Sequence, residues 1–196
     1  MFVQVIKGRA KDKAAVEAAG QRWQDEVRPG AVGYLGGTFG VADDGTLVVI
    51  ARFEDEAAAA ANSARPEQGE WWAGFEPLLD GAPTFRESSD TSLLFDGPSD
   101  AATFVQIMEG TVADRAKAEA METPELEAQL KKARPDLLGG IRVWLDGGAY
   151  VEAAYFTSEE EARKGESTED FEGPQMDFEA VFGTPTYTDL RNPLHG

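Results

Sequence analysis

The segment Phe2-Val3-Gln4-Val5-Ile6-Lys7-Gly8 is apolar and β-prone at both alternating sets of positions, with Gln4 as the polar exception in its centre. That pattern predicts a strand buried on both faces. From Asp12 to Val27 the period changes: Val16, Ala19, Trp23 and Val27 recur at helical spacing between charged and amide side chains, until Pro29-Gly30 ends the run. Two β-prone runs, Tyr34 to Val41 and Leu47 to Phe53, then flank Ala42-Asp43-Asp44-Gly45, and the Asp-Gly pair marks a hairpin. A second helix begins near Glu54-Asp55-Glu56, where acidic residues suit the positive end of the helix dipole. It pauses at Pro66 and resumes through Trp71, Trp72, Phe75, Leu78 and Leu79. Gly81-Ala82-Pro83 leads to a last strand around Thr84 to Glu87.

The same order returns in the second half. Phe104-Val105-Gln106-Ile107-Met108-Glu109-Gly110 repeats the first strand, Arg134-Pro135 and Gly139 answer to Arg28-Pro29 and Gly33, and Tyr150 to Phe156 answers to Leu47 to Phe53. Phe178-Glu179 answers to Phe75-Glu76, and Gly183-Thr184-Pro185-Thr186-Tyr187 to Gly81-Ala82-Pro83-Thr84-Phe85. Matches in constant order at separated places indicate a duplicated unit. Residues 1–95 are expected to form the first repeat, 96–102 a linker, and 103–196 the second repeat. The island Leu93-Leu94-Phe95, between polar flanks, is expected to dock on the body of the protein. The second copy diverges: Pro124 should kink or divide its first helix, Ser158 with Glu161 forms a capping box, and Gly173-Pro174 interrupts the segment before Phe178.

Each unit reads β-α-β-β-α-β, the ferredoxin-like arrangement within the α+β class, with helices on one face of an antiparallel sheet. Apolar residues at both parities call for something to cover the second face. Two units packed sheet to sheet within one chain would do so.

Charge narrows the function classes. Eighteen basic against 36 acidic residues give a net charge of -18. Nucleic acid and anionic membrane surfaces are therefore disfavoured as partners. Cysteine is absent and His195 is the single histidine, which excludes disulfides and thiolate chemistry and disfavours histidine metal sites and nucleophile triads. No apolar run approaches the ~18 residues of a membrane span, and the N-terminus does not resemble a signal peptide, so a cytoplasmic protein is expected.

The strand ending in Gly8 or Gly110, the passage Arg52-Phe53-Glu54-Asp55-Glu56-Ala57 or Tyr155-Phe156-Thr157-Ser158-Glu159-Glu160, and the closing Leu78-Leu79-Asp80-Gly81-Ala82-Pro83-Thr84 resemble the dimeric α/β-barrel superfamily. Within it, the resemblance is to the antibiotic biosynthesis monooxygenase-like domains. It implies that the duplication supplies both halves of the usual subunit pair, so that the chain is monomeric with an internal pseudo-dimer. It also implies cofactor-independent oxygenation of a planar phenolic or polyketide-like compound. In that reaction a base removes a substrate proton and the carbanion reacts directly with oxygen, so neither cofactor nor metal is called for. The haem-degrading branch of the superfamily, with its helix histidine, matches poorly. The rival class is a non-catalytic small-molecule-binding or stress-associated module.

Polar residues on strands are the informative candidates. Gln4 and Gln106 are equivalent, and each either faces a ligand or bonds a neighbouring strand. Arg142 and Trp144 point away from the apolar face made by Ile141, Val143 and Leu145, and Glu152 stands opposite Val151 and Ala153. A three-residue loop, Gly147-Gly148-Ala149, would pair 144 with 152 and bring the three together. A two-residue turn at Gly147-Gly148 would separate them. Together, Arg142 and Glu152 beside the Trp144 indole either orient an acidic aromatic substrate, with Glu152 as base once burial raises its pKa, or form a structural ion pair or a solvated strand face. Trp72, with Trp71 and Phe75, either walls a pocket or fills core; Tyr34, Arg52 and Tyr155 are weaker candidates. His195 reads as a solvated tail residue and Glu159-Glu160-Glu161 as an exposed helix start.

Overall fold

A computed structural model describes residues 1–120, 122–167 and 178–196. In the first half β1 (Phe2–Arg9) leads to α1 (Lys13–Arg22), which continues as a π turn over Trp23–Val27. The hairpin β2 (Tyr34–Val41) and β3 (Thr46–Phe53) follows, then α2 (Glu56–Ser63), α3 (Pro66–Phe75) and β4 (Thr84–Ser88). After β5 (Thr91–Leu94), the second half runs β6 (Phe104–Thr111), α4 (Arg115–Ala120), α5 (Pro124–Ala133), β7 (Leu137–Trp144) and β8 (Ala149–Phe156). It closes with α6 (Glu159–Ser167), α7 (Phe178–Phe182), β9 (Thr186–Arg191) and β10 (Leu194–His195). The two antiparallel sheets have the orders β10-β2-β3-β1-β4 and β5-β7-β8-β6-β9. Stripped of its extra edge strand, each is a ferredoxin-like sheet, and the molecule is an α+β duplication.

Those extra strands move the boundaries expected from the sequence. The compact units are Met1–Asp90 with Leu190–Gly196, and Thr91–Asp189. The island expected to end the first repeat is β5, which pairs with β7 of the second sheet through Leu93↔Ile141 and Leu94↔Gly140. Leu94 and Phe95 pack on the cluster of Phe104, Leu137, Ala154 and Phe156 in that unit. Conversely, β10 pairs with β2 of the first sheet, His195 opposite Thr38, so the histidine is held in a sheet rather than in a solvated tail. A fragment of residues 1–95 would carry β5 without β7 and leave β2 without β10, exposing backbone donors and acceptors along an edge. Such a fragment is expected to self-associate or unfold at low denaturant in sedimentation and urea titration. A compact monomer with cooperative unfolding would contradict that expectation.

Local rules account for the boundaries. Asp12, Asp55, Thr123 and Ser158 each accept a hydrogen bond from the backbone N–H three residues on, at 2.9, 2.8, 3.2 and 3.2 Å, and start α1, α2, α5 and α6. Pro124 divides the second unit's first helix as expected: α4 ends at Ala120, and α5 restarts with the proline in its first turn, where its missing N–H costs nothing. The Gly173-Pro174 interruption lies outside the described residues. Both sheets carry the same bulge, between Tyr34 and Gly36 and between Leu137 and Gly139. Gly139 therefore answers to Gly36 rather than Gly33. A side chain at Gly139 would run into the Gly97 carbonyl.

Both faces of each sheet are buried. In the first unit Val3, Val5, Val48 and Ile50 lie on one face, while Phe39, Val41 and Leu47 lie on the other and pack with Val16 and Ala19 of α1 and with Phe75. Gly20 of α1 sits directly on Phe39, and a Cβ there would come within 2.7 Å of the ring. In most helices Gly→Ala adds about 1 kcal/mol of stability. Here the overpacking of a filled core, about 1–3 kcal/mol, should outweigh it, so Gly20→Ala should lower the urea midpoint. A raised midpoint would show that Phe39 can move aside.

Candidate functional site

The hairpin β7–β8 decides whether the sequence-predicted residues meet. Its loop has three residues, Asp146-Gly147-Gly148, one position earlier than expected, with Leu145 N–H donating to the Ala149 carbonyl at 2.8 Å. The left-handed Gly147 and Gly148, at φ 70° and 77°, permit it. The register becomes Trp144↔Tyr150 and Arg142↔Glu152. The expected pairing of 144 with 152 is thus shifted by two residues, which preserves the face. Arg142 and Glu152 are direct cross-strand partners, and the same row continues to Met108 on β6 and Ser92 on β5.

Glu152 Oε2 accepts from both Nε and Nη2 of Arg142, each at 2.6 Å. Arg142 Nη1 donates to Glu122, which stands in the break between α4 and α5. The guanidinium lies 4.7 Å from the Phe182 ring centroid and 5.3 Å from that of Trp144. Rings on two sides hold it in place. Trp144 is buried behind it, donating from Nε1 to Ser92 Oγ at 3.2 Å, with Arg115 4.7 Å from the ring centroid. The indole thus braces Arg142 rather than lining the cavity. Burial pushes the Glu152 carboxyl above its ordinary range; Arg142 pulls against that shift by charge and hydrogen bond, and Glu122 adds to it. Tyr150, whose hydroxyl donates to the Phe182 carbonyl at 3.5 Å, is pushed up to about 12, first by burial and then by the Glu152 charge.

Above this pair opens a cavity of about 510 Å³. Arg142, Glu152 and Ile141 form part of its wall; Ala118, Leu126, Leu130 and Phe182 add apolar surface from the helices, and Leu93 and Leu94 from β5. The volume lies within the ~300–1,000 Å³ of pockets that enclose small organic ligands. Glu122 and Glu127 also line it. Both were missed in the sequence, although the Thr123-Pro124 helix start was the signal that a break would place side chains there.

The remaining candidates lie elsewhere. Gln4 donates to Glu87 at 2.6 Å and Gln106 to Asp189 at 3.2 Å, so each amide bonds the neighbouring edge strand. Gln4, Tyr34 and Trp72 border a cavity of about 90 Å³ in the first unit, which also contains Trp23, Trp71 and Phe75 in its wall. That space is too small for an aromatic ligand. The cause is visible in the register: Phe39, Val49 and Ile6 occupy the row taken by Arg142, Glu152 and Met108 in the second unit.

Neither a known family model nor a curated protein matches the sequence. Solved structures do match. A candidate monooxygenase from Fusobacterium nucleatum superposes with a TM-score of 0.77 at 12% identity, over 97% of this chain and 91% of that one. A candidate monooxygenase from Lactobacillus acidophilus gives 0.72 at 12%, over 96% and 92%. An anthrone oxidase-like protein gives 0.66 at 9%, over 100% and 92%. The chain shares the fold of these three proteins over nearly its whole length. At these identities the likeness is one of fold, and the chemistry of this chain has to be argued from its own side chains. Among the described residues no helix is long and apolar enough to cross a membrane.

Proposed function

We propose that the second unit is a cofactor-independent monooxygenase site for a small planar aromatic compound, with Glu152 as base. The observation that carries this reading is a carboxylate of raised pKa, fixed by Arg142, on the wall of a largely apolar cavity of about 510 Å³. A base of this kind works best when its pKa approaches the operating pH. Apolar walls also leave a planar carbanion exposed to dissolved oxygen and shielded from bulk water.

The step balances with molecular oxygen as the oxidant. A ring-bound CH₂ gives its proton to Glu152, and the carbanion passes electrons to O₂ and forms the C–O bond of a peroxide. The peroxide recovers the proton from Glu152, and the hydroperoxide then loses water to leave a ketone. One oxygen atom ends in the product and one in water. Arg142 keeps Glu152 oriented, while Phe182 and Trp144 keep Arg142 in place. Oxygen uptake by the full chain on a panel of anthrone-like and quinol compounds tests the proposal; absence of uptake across the panel, with bound ligand demonstrated, would leave the non-catalytic binding reading.

A further inference from the structure

The charges around the cavity set a condition on its ligand that the Arg–Glu pair alone would not. Among the described residues Arg142 is the one cation in the lining, against Glu122, Glu127 and Glu152. Its guanidinium already serves two of these carboxylates. An acidic substrate, expected when only Arg142 and Glu152 were in view, would have to displace one of them and face the others. The neighbouring cations do not reverse the balance. Lys131 stands 5.2 Å from the Phe95 ring centroid and Arg115 against Trp144, where it also donates to Glu119 at 2.7 Å, and neither lines the cavity. The first turn of α5 contributes roughly half a positive charge, which Glu122, Glu125 and Glu127 outnumber. Glu127 accepts the Phe95 N–H at 2.7 Å, which anchors its carboxylate at the wall. The apolar surface, from Leu93, Leu94, Leu126, Leu130 and Phe182, suits a flat hydrocarbon body.

We infer that this cavity takes planar aromatic compounds bearing a protonated amine, with the rings against Leu126, Leu130 and Phe182 and the ammonium beside Glu122 and Glu127. The inference rests on the cavity being the ligand site of the proposed function, and it names the class of substrate. An ammonium there neutralises surplus negative charge and leaves Arg142 engaged with Glu152, so the base stays oriented. A carboxylate in the same place adds like charge at close range.

The test uses three probes of one shape, 2-naphthylmethylamine, 2-naphthylmethanol and 2-naphthoate, titrated calorimetrically into the full chain at neutral pH. With partly exposed carboxylates interacting at ~1–4 kcal/mol, the amine should bind at least about tenfold more tightly than the acid. Its advantage over the alcohol should shrink in Glu122→Gln and in Glu127→Gln, both of which keep an acceptor for their present donors, and should fall with added salt. Equal or tighter binding of the naphthoate, an amine preference unchanged in both variants, or no binding of any probe would overturn the inference. Amine preference without oxygen uptake on amine-bearing quinols would sink the proposed oxygenation and leave the ligand class standing. Oxygen uptake on neutral substrates without amine preference would do the reverse.

Discussion

Glu152→Gln is expected to reduce oxygen uptake by about 10²–10⁴-fold, the range lost when a positioned general base is removed, while ligand binding and fold persist. Glutamine keeps the size of glutamate and an oxygen to accept from Arg142, and Arg142 retains Glu122. The loss should therefore fall on kcat rather than on KM, since the carboxylate acts on the proton and not on the body of the substrate. The pH profile supplies a second readout. The base works deprotonated, so activity should rise with pH through the Glu152 pKa, and burial puts that limb above the ordinary glutamate value of 4.5. In Glu152→Gln the limb should vanish with the activity. Turnover unchanged in the variant would remove Glu152 from the chemistry, whatever the fate of the ligand.

How much of this was legible in the sequence differs by element. The repeat and its strand-helix order were readable because buried strands such as Phe2 to Gly8 carry their apolar pattern locally. The edge strands β5 and β10 were not. Thr91-Ser92-Leu93-Leu94 and Leu194-His195 are too short to show a period, and their partners lie about 50 and 155 residues away in sequence. Parity set Arg142 and Glu152 apart from the apolar face of each strand but left open whether their faces coincide; the register that joins them needed two left-handed glycines whose conformations no local rule fixed. The cavity itself was invisible, because it depends on what α4 and α5 leave uncovered. Its absence from the first unit turns on Phe39 against Gly20, a contact between two elements that the spacing of either one could not foretell.

That internal comparison yields the other large prediction. Arg142→Met should destabilise the protein by about 3 kcal/mol at neutral pH, the low end of the ~3–5 kcal/mol for removing one partner of a buried ion pair, because this pair borders a cavity. Glu152 would be left in the wall without its cation, its pKa raised further. A carboxyl whose folded-state pKa exceeds its unfolded value contributes stability that is fully present below the unfolded value and is lost as pH rises through the folded one. The deficit of Arg142→Met should therefore be small in mild acid and grow toward neutral pH, as urea titrations at several pH values would show. A pH-independent deficit would mean that lost packing against Phe182 and Trp144, not the stranded charge, is responsible. The first unit supplies the compensated form: Phe39 opposite Val49 fills the corresponding row. Arg142→Phe with Glu152→Val should hence recover stability to within about 1 kcal/mol of the parent or exceed it, as hydrophobic replacements of ion pairs do, and should abolish binding of every aromatic probe. A double variant that stays as unstable as Arg142→Met would show that the second unit, with its divided helix, has no room for the packing its sister uses.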